Sequence, residues 1–298
     1  MNELRFARAS LPLLSVLPLL SAVLGCSGAT SAVAPDEGAD ADRRSDAAPS
    51  EDATPGSATL FFHVRASTAP FAHADGFAGQ TSKMTRQGIR GLRLFKSRGD
   101  APVVVFDHGK GFVEAGYDDG NDTVVGQSPV AKIPAGRYTL AQIPVTHSAF
   151  RVTSTMHVAD APLPGEFDCV ETLSDDVTLE GTLHAKGWYR YVFETGGSKY
   201  PQEGSAALLP SSPTTGGFTM KTVGGETYYE VPIDLVMDPT VTKDVHVVME
   251  INMDRAFRWE DQAAPGYAKD VYDTTPTSYE PIRRFGANTF VVRLEVPK

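Results

Sequence analysis

Cysteine is nearly absent from this chain: Cys26 and Cys169 are the two in 298 residues. Two cysteines so placed build no disulfide framework, so burial of apolar side chains must stabilise the fold. Basic residues are also short. Against 37 Asp and Glu stand 27 Lys and Arg, a net charge of −10. An acidic body repels nucleic acid and anionic headgroups, and no basic cluster interleaved with aromatics offsets this. Signatures of chemistry are missing too: no Gly-x-Ser-x-Gly elbow, no His-Glu-x-x-His, no phosphate loop and no Gly-x-Gly-x-x-Gly. These absences make a non-catalytic protein without nucleic-acid partners the expectation. No stretch holds 18 successive apolar residues, so no transmembrane helix is expected.

The amino terminus is the most informative segment. Arg5 and Arg8 make Met1–Arg8 basic, and Leu11–Leu24 follows as an apolar run broken by Pro12, Ser15, Pro18 and Ser21. Its 14 residues are too few to span a bilayer, which takes ~20, but suit the core of a secretion signal. The run ends in Val23-Leu24-Gly25-Cys26. This phrase resembles the lipobox of bacterial lipoproteins, which implies a signal peptide over residues 1–25 and a lipidated Cys26. Several acyl chains on one cysteine hold a protein stably at a membrane. Ser27, rather than Asp, after that cysteine implies by the same resemblance an outer-membrane or surface address in the cell envelope.

Residues 27–56 are rich in Ala, Ser, Asp, Pro, Thr and Gly and contain no aromatic residue. Such a segment buries too little apolar surface to offset its ordering entropy, so 26–56 reads as a lipidated cysteine on a disordered tether. The tether's typical reach is roughly 30 Å.

From residue 57 onward period-two alternation recurs, the pattern of half-buried strands. Leu60, Phe62 and Val64 form one apolar face, as do Phe150, Val152, Met156 and Val158. Tyr229, Val231, Ile233, Leu235 and Met237 form another, followed by Val245, Val247, Met249 and Ile251, then Phe290, Val292, Leu294 and Val296. Val103–Phe106 reads as a short strand buried on both faces. Helical periodicity is limited to Gln80–Arg93 and Asp254–Gln262. The fold class expected is therefore all-β and mainly antiparallel, a β-sandwich with few short helices and long loops. The body at 57–298 is expected to form two lobes, 57–160 and 161–298, because Pro162, Pro164 and Gly165 cluster near Asp160.

Ile133-Pro134-Ala135-Gly136-Arg137-Tyr138 resembles a turn-and-strand phrase of transthyretin-like and immunoglobulin-like modules, and that resemblance implies the sandwich subtype. Physically, Pro134 fixes φ, Gly136 permits a tight turn, and Tyr138 packs its ring while its hydroxyl is free to bond nearby backbone.

Candidate sites are few. Asp118-Asp119-Gly120-Asn121-Asp122 is the best metal phrase, since calcium takes six to eight oxygen ligands. Asp118, Asn121 and Asp122 are its candidate ligands, although a solvated turn explains the phrase as well, and no other cofactor is implied. Seven histidines are scattered, with His63 and His246 on polar strand faces. Asp107-His108 makes no dyad, because neighbouring strand side chains point oppositely. Cys169, between Asp168 and Glu171, is no activated thiol, because neighbouring negative charge raises its pKa. Trp188-Tyr189-Arg190-Tyr191-Val192-Phe193 places Tyr189, Tyr191 and Phe193 on one strand face and Trp188, Arg190 and Val192 on the other. One face is core. The other offers Trp188 and Arg190 to a partner or a sugar, with Trp259 joining from a loop. The long polar stretch from Arg258 to Asn288, bearing Tyr267, Tyr272 and Tyr279, is expected to wrap one end of the body and shape the surface it uses.

The function expected is that of a membrane-anchored exported lipoprotein acting as a binding module for a protein partner or a carbohydrate. A structural component of an envelope assembly, pairing through a sheet edge, is the alternative from a second class. A hydrolase with an unrecognised site is the third.

Overall fold

The computed structural model describes residues 57–159, 161–206, 209–210 and 218–295. The expected signal peptide over residues 1–25, Cys26 and the expected tether therefore lie outside the described residues. Among the described residues the regular elements are strands, apart from one short 3-10 turn at Val130–Lys132. The all-β class expected from the alternation is what the structure shows.

The first strands are β1 (Thr59–Ser67), β2 (Ala78–Gln80), β3 (Met84–Ile89), β4 (Gly91–Phe95), β5 (Val103–Asp107), β6 (Val113–Gly116) and β7 (Asp122–Pro129). The long hairpin β8 (Gly136–Val158) and β9 (Ala161–Thr172) follows. Next come β10 (Val177–Leu179), β11 (Thr182–His184), β12 (Trp188–Thr195), β13 (Ser198–Ser205), β14 (Thr219–Val223), β15 (Glu226–Met237) and β16 (Val245–Asn252). The last are β17 (Phe257–Trp259), β18 (Asp273–Thr275), β19 (Ser278–Tyr279), β20 (Ile282–Arg284) and β21 (Thr289–Glu295).

Four of these form a sheet in the order β21-β16-β1-β7, in which β1 runs parallel to β16 and antiparallel to β7. Twelve form a second sheet whose main path is β13-β12-β9-β8-β15-β14. Its spine is β8, 23 residues long. The near half of β8 pairs with β15 and β4, its middle with β3, and its far end with β18. From His147 to Val158 it also pairs with β9. A small sheet, β2-β17-β20, completes the body.

Two clusters of buried side chains hold these sheets together. In the larger, Leu60, Phe62 and Val64 from β1 and Val245, Val247 and Met249 from β16 meet Leu92, Ile143, Val231 and Leu235 of the large sheet. The alternation is the cause: β1 buries every second residue, and a residue such as Phe62, fully enclosed, contributes about 1.5–3 kcal/mol by leaving water. The smaller cluster joins Phe150, Val152, Phe167 and Tyr191 to Phe257, Trp259, Tyr272 and Phe285.

Several local expectations change. Gln80–Arg93 is no helix but the end of β2, then β3 and β4, and Asp254–Gln262 contains β17. Val104 is 54% exposed, so β5 is buried on one face only. The boundary at 160/161 falls inside the β8–β9 hairpin, whose strands pair from His147–Thr172 to Val158–Ala161, and β1 pairs with β16 across the proposed lobes. Prolines 162 and 164 sit within β9 instead of ending it. The turn phrase folds as its chemistry requires. Gly136 adopts φ +137°, Tyr138 is fully buried, and its hydroxyl donates to the Pro134 carbonyl at 2.7 Å.

Candidate functional site

Strand β12 alternates between two environments. Trp188, Arg190 and Val192 face a groove of about 620 Å³ on one side of the large sheet, while Tyr189, Tyr191 and Phe193 face the other side. The register explains the groove floor. Arg86 of β3 pairs with Ala149 of β8, Ala149 with Val170 of β9, Val170 with Arg190 of β12, and Arg190 with Glu203 of β13. Side chains so aligned point the same way off the sheet. Glu114, His147 and Asp168 add to the same surface.

The hairpin β10–β11 lines one side of the groove, contributing Leu179, Glu180, Thr182 and His184. Its two-residue turn, Glu180-Gly181, has φ +49° and +81°, the two positive angles that a tight hairpin turn requires. Two contacts latch the hairpin to β12. Arg190 reaches both carboxylate oxygens of Glu180 at 2.7 and 2.8 Å. The His184 ring stacks on Trp188 with centroids 3.6 Å apart.

His147, on the same surface, is enclosed, 2% exposed. Its Nε2 lies 3.2 Å from Glu114 Oε1 and its Nδ1 3.0 Å from Thr146 Oγ1. Burial depresses its pKa, and Glu114 only partly opposes this. A neutral imidazole has one N–H, and a carboxylate only accepts, so Nε2–H donates to Glu114 and Nδ1 accepts from Thr146. Burial would raise the pKa of Glu114, but Arg86 at 2.9 Å and His147 together hold it below the ordinary range. Gly88 makes the arrangement sterically possible. It sits at a register shift opposite this pair, and a Cβ there would lie 2.1 Å from Thr146 Oγ1 and 2.6 Å from His147 Nδ1.

The structure thus brings Trp188 and Arg190 together and separates Trp259 from them. Trp259 lies on β17, fully buried in the smaller cluster against Phe257 and Tyr272. It does not join the groove from a loop, because its own strand is paired on both sides, with β2 and β20. The acidic turn is organised differently from a calcium loop. Asp122 begins β7, where its carboxylate meets His63 Nδ1 at 2.8 Å and Arg65 at 2.8 Å. Asp118 caps the turn by accepting Asn121 N–H on its backbone carbonyl at 3.0 Å. A guanidinium already occupies Asp122, and among the described residues no three His, Cys, Asp or Glu side chains form a metal-holding group.

No protein-family model, curated protein or solved structure matches this chain. Its candidate chemistry therefore rests on the residues alone. Asp107 accepts from Gly109 N–H while His108 Nε2–H donates to the Val125 carbonyl, so each is tied to separate backbone. Cys169 is 2% exposed, and burial, then Glu171 and Asp168, push its thiol well above its ordinary pKa. The groove presents an aromatic ring beside cations and carboxylates. Reading the sequence alone missed Glu114, His147 and the β10–β11 hairpin. The Glu180-Gly181 pair between short apolar stretches was the available signal for the hairpin, and nothing local marks Glu114 as a partner of a residue 33 positions away.

Proposed function

We propose that this chain is an exported, lipid-anchored, non-catalytic binding protein that holds a charged segment of an envelope protein partner in the groove beside β12. The observation that carries the reading is the placement of Trp188 and Arg190 together on a groove lined by paired charges of both signs. Aromatic and arginine anchors dominate binding energy at interfaces, and charge pairs select the partner more than they strengthen it. A segment carrying both a carboxylate and a cation exchanges with the latch: its carboxylate replaces Glu180 on Arg190, and its cation takes Glu203 or Asp168. Anchorage rests on the amino-terminal phrase ending at Cys26, and the tether gives the body reach from the membrane. The turn at Pro134–Tyr138 supports reading the body as an immunoglobulin- or transthyretin-like sandwich.

Site-specific photo-crosslinking of the full-length protein in its host tests this reading. A photoreactive residue at Thr182, in the groove, should trap one discrete envelope protein. The same residue at Val236, which is 62% exposed, should not, and Arg190→Glu should abolish the Thr182 adduct. Equal labelling from both positions would reject the groove as the binding surface. Replacing Cys26 by Ser should move the protein from the membrane to the soluble fraction and remove fatty-acid labelling.

The assembly reading has one observation for it and one against. Strand β13 ends the path of the large sheet and is exposed along nearly its whole length. Pro201 in its middle, with Lys199 and Glu203 beside it, blunts that edge as a template for a further strand.

A further inference from the structure

The opposite face of β12 opens on a second cleft, about 330 Å³ in volume, between β12–β13 and the β18–β19 hairpin. It differs from the groove in one chemical respect: among the described residues, none that lines it carries a charge. Tyr189 and Tyr191 lie on its floor nearly parallel, 10° apart with centroids at 4.8 Å. Tyr200 from β13 and Tyr279 from β19 stand at its rim, 54% and 41% exposed. Exposed tyrosines that converge on one cleft from separate strands are not core that failed to close. Tyr189 and Tyr191 pack against the smaller cluster from below, while Tyr200 and Tyr279 remain open to solvent.

We propose that this cleft is a binding site for an uncharged oligosaccharide, independent of the charged groove on the other face. The volume falls in the range of small-ligand sites, ~300–1,000 Å³. A pyranose ring has apolar C–H faces and a hydroxyl edge, and a tyrosine has the matching parts, an apolar ring face of negative quadrupole and a polar tip. The rest of the rim includes groups that both donate and accept: the hydroxyls of Thr275, Thr277 and Ser278 and the amide of Gln202. Sugar hydroxyls also do both, whereas a proline-rich peptide offers mainly carbonyl acceptors. An acidic sugar would find no cation in the cleft and an acidic body around it.

The platform is held before any ligand arrives. Tyr189 lies across Gly204, where a Cβ would sit 2.3 Å from the tyrosine oxygen, so the missing side chain is what lets the ring lie flat on the sheet. The rim turn is pinned by Thr275 Oγ1 and Ser278 Oγ at 2.8 Å and by Ser278 N–H on Thr275 Oγ1 at 3.0 Å. Preorganised contacts of this kind lower the entropy lost on binding.

The test is calorimetric titration of the full-length protein in detergent with neutral tetrasaccharides of glucose, N-acetylglucosamine, mannose and galactose, beside tetragalacturonic acid and a proline-rich peptide. At least one neutral sugar should bind saturably. Tyr200→Ala and Tyr279→Ala should each weaken it about tenfold or more. Gly204→Val, which displaces Tyr189 from outside the core, should weaken it as well, and Arg190→Ala on the other face should leave it unchanged. Heat flat against every neutral sugar overturns the proposal. So does preference for the acidic sugar or the peptide, or binding that Tyr200→Ala does not change. Loss of crosslinking in Arg190→Glu with sugar binding intact would separate the two faces as two sites.

Discussion

His147 is held neutral by its enclosure, and that has a consequence for pH. The folded protein keeps it unprotonated at pH values where the unfolded chain, with an ordinary pKa near 6.5, binds a proton. The unfolded state therefore binds more protons, and stability contributed by His147 is present above about pH 6.5 and lost as pH falls below it. The melting temperature should fall between pH 7 and pH 5, and His147→Asn should remove the part of the fall that this residue causes. Asp75 acts at lower pH. Burial would raise its pKa, but Arg258, the Phe77 backbone and Arg284 bring it below the ordinary value. Its stabilisation is present above about pH 3.9 and disappears as pH falls further. Arg258 is 3% exposed and bonds Asp75 at 2.5–3.0 Å. Asp75→Ala leaves that guanidinium buried without its carboxylate and should cost about 3–5 kcal/mol in denaturant melts. The double change Asp75→Leu with Arg258→Met should recover most of this. Nothing in the sequence marks the pair, because 183 residues separate its members, whereas Tyr138 is legible from its own turn, since both partners of its hydrogen bond lie within five residues.

Among the elements, the face of β1 is legible because it buries one side against a single core and period two survives intact, whereas β15 and β16 keep their apolar faces but also bury neighbours such as Tyr228 and Val248 on the other side. Gln80–Arg93 misleads because a bulge at Gly88 breaks the alternation and mixes it with spacings that imitate a helix. The stretch from Arg258 to Asn288 misleads in another way. It looks like a polar loop, yet Tyr272 and Asp273 are 1% exposed and Glu280 is fully buried. Glu280 accepts Gln262 N–H at 2.6 Å and Asp273 N–H at 2.9 Å, so a carboxylate fastens the segment from within. Deleting residues 263–280 should therefore abolish the cooperative melt of the body, not merely binding, and Tyr272→Ala alone should cost about 3–5 kcal/mol. A deletion variant that melts as sharply as the parent would return this segment to the surface. The β10–β11 hairpin is the reverse case, a small element anchored at its base by buried Val177 and latched to β12 by two contacts. Arg190→Ala should leave the melting temperature unchanged and speed proteolysis within residues 177–184.

At the scale of the whole molecule, one long sheet carries two chemistries on opposite faces of the same strand. The charged groove and the tyrosine cleft meet back to back at β12, whose alternation in sequence anticipated both sides but not that both stay open. The chain is acidic, with a net charge of −10, and long-range charge sets which partners approach. The proposed lipid anchor and tether rest on local sequence alone, the phrase ending at Cys26 and the composition of residues 27–56. The groove does not, because five strands must register before its residues meet. The most direct measurement is amide hydrogen exchange of the full-length protein with and without the partner trapped from Thr182. Exchange should slow only in residues 177–184 and in β12. Slowing along residues 198–205 instead, with the hairpin unaffected, would contradict this and assign the partner to the free edge of β13.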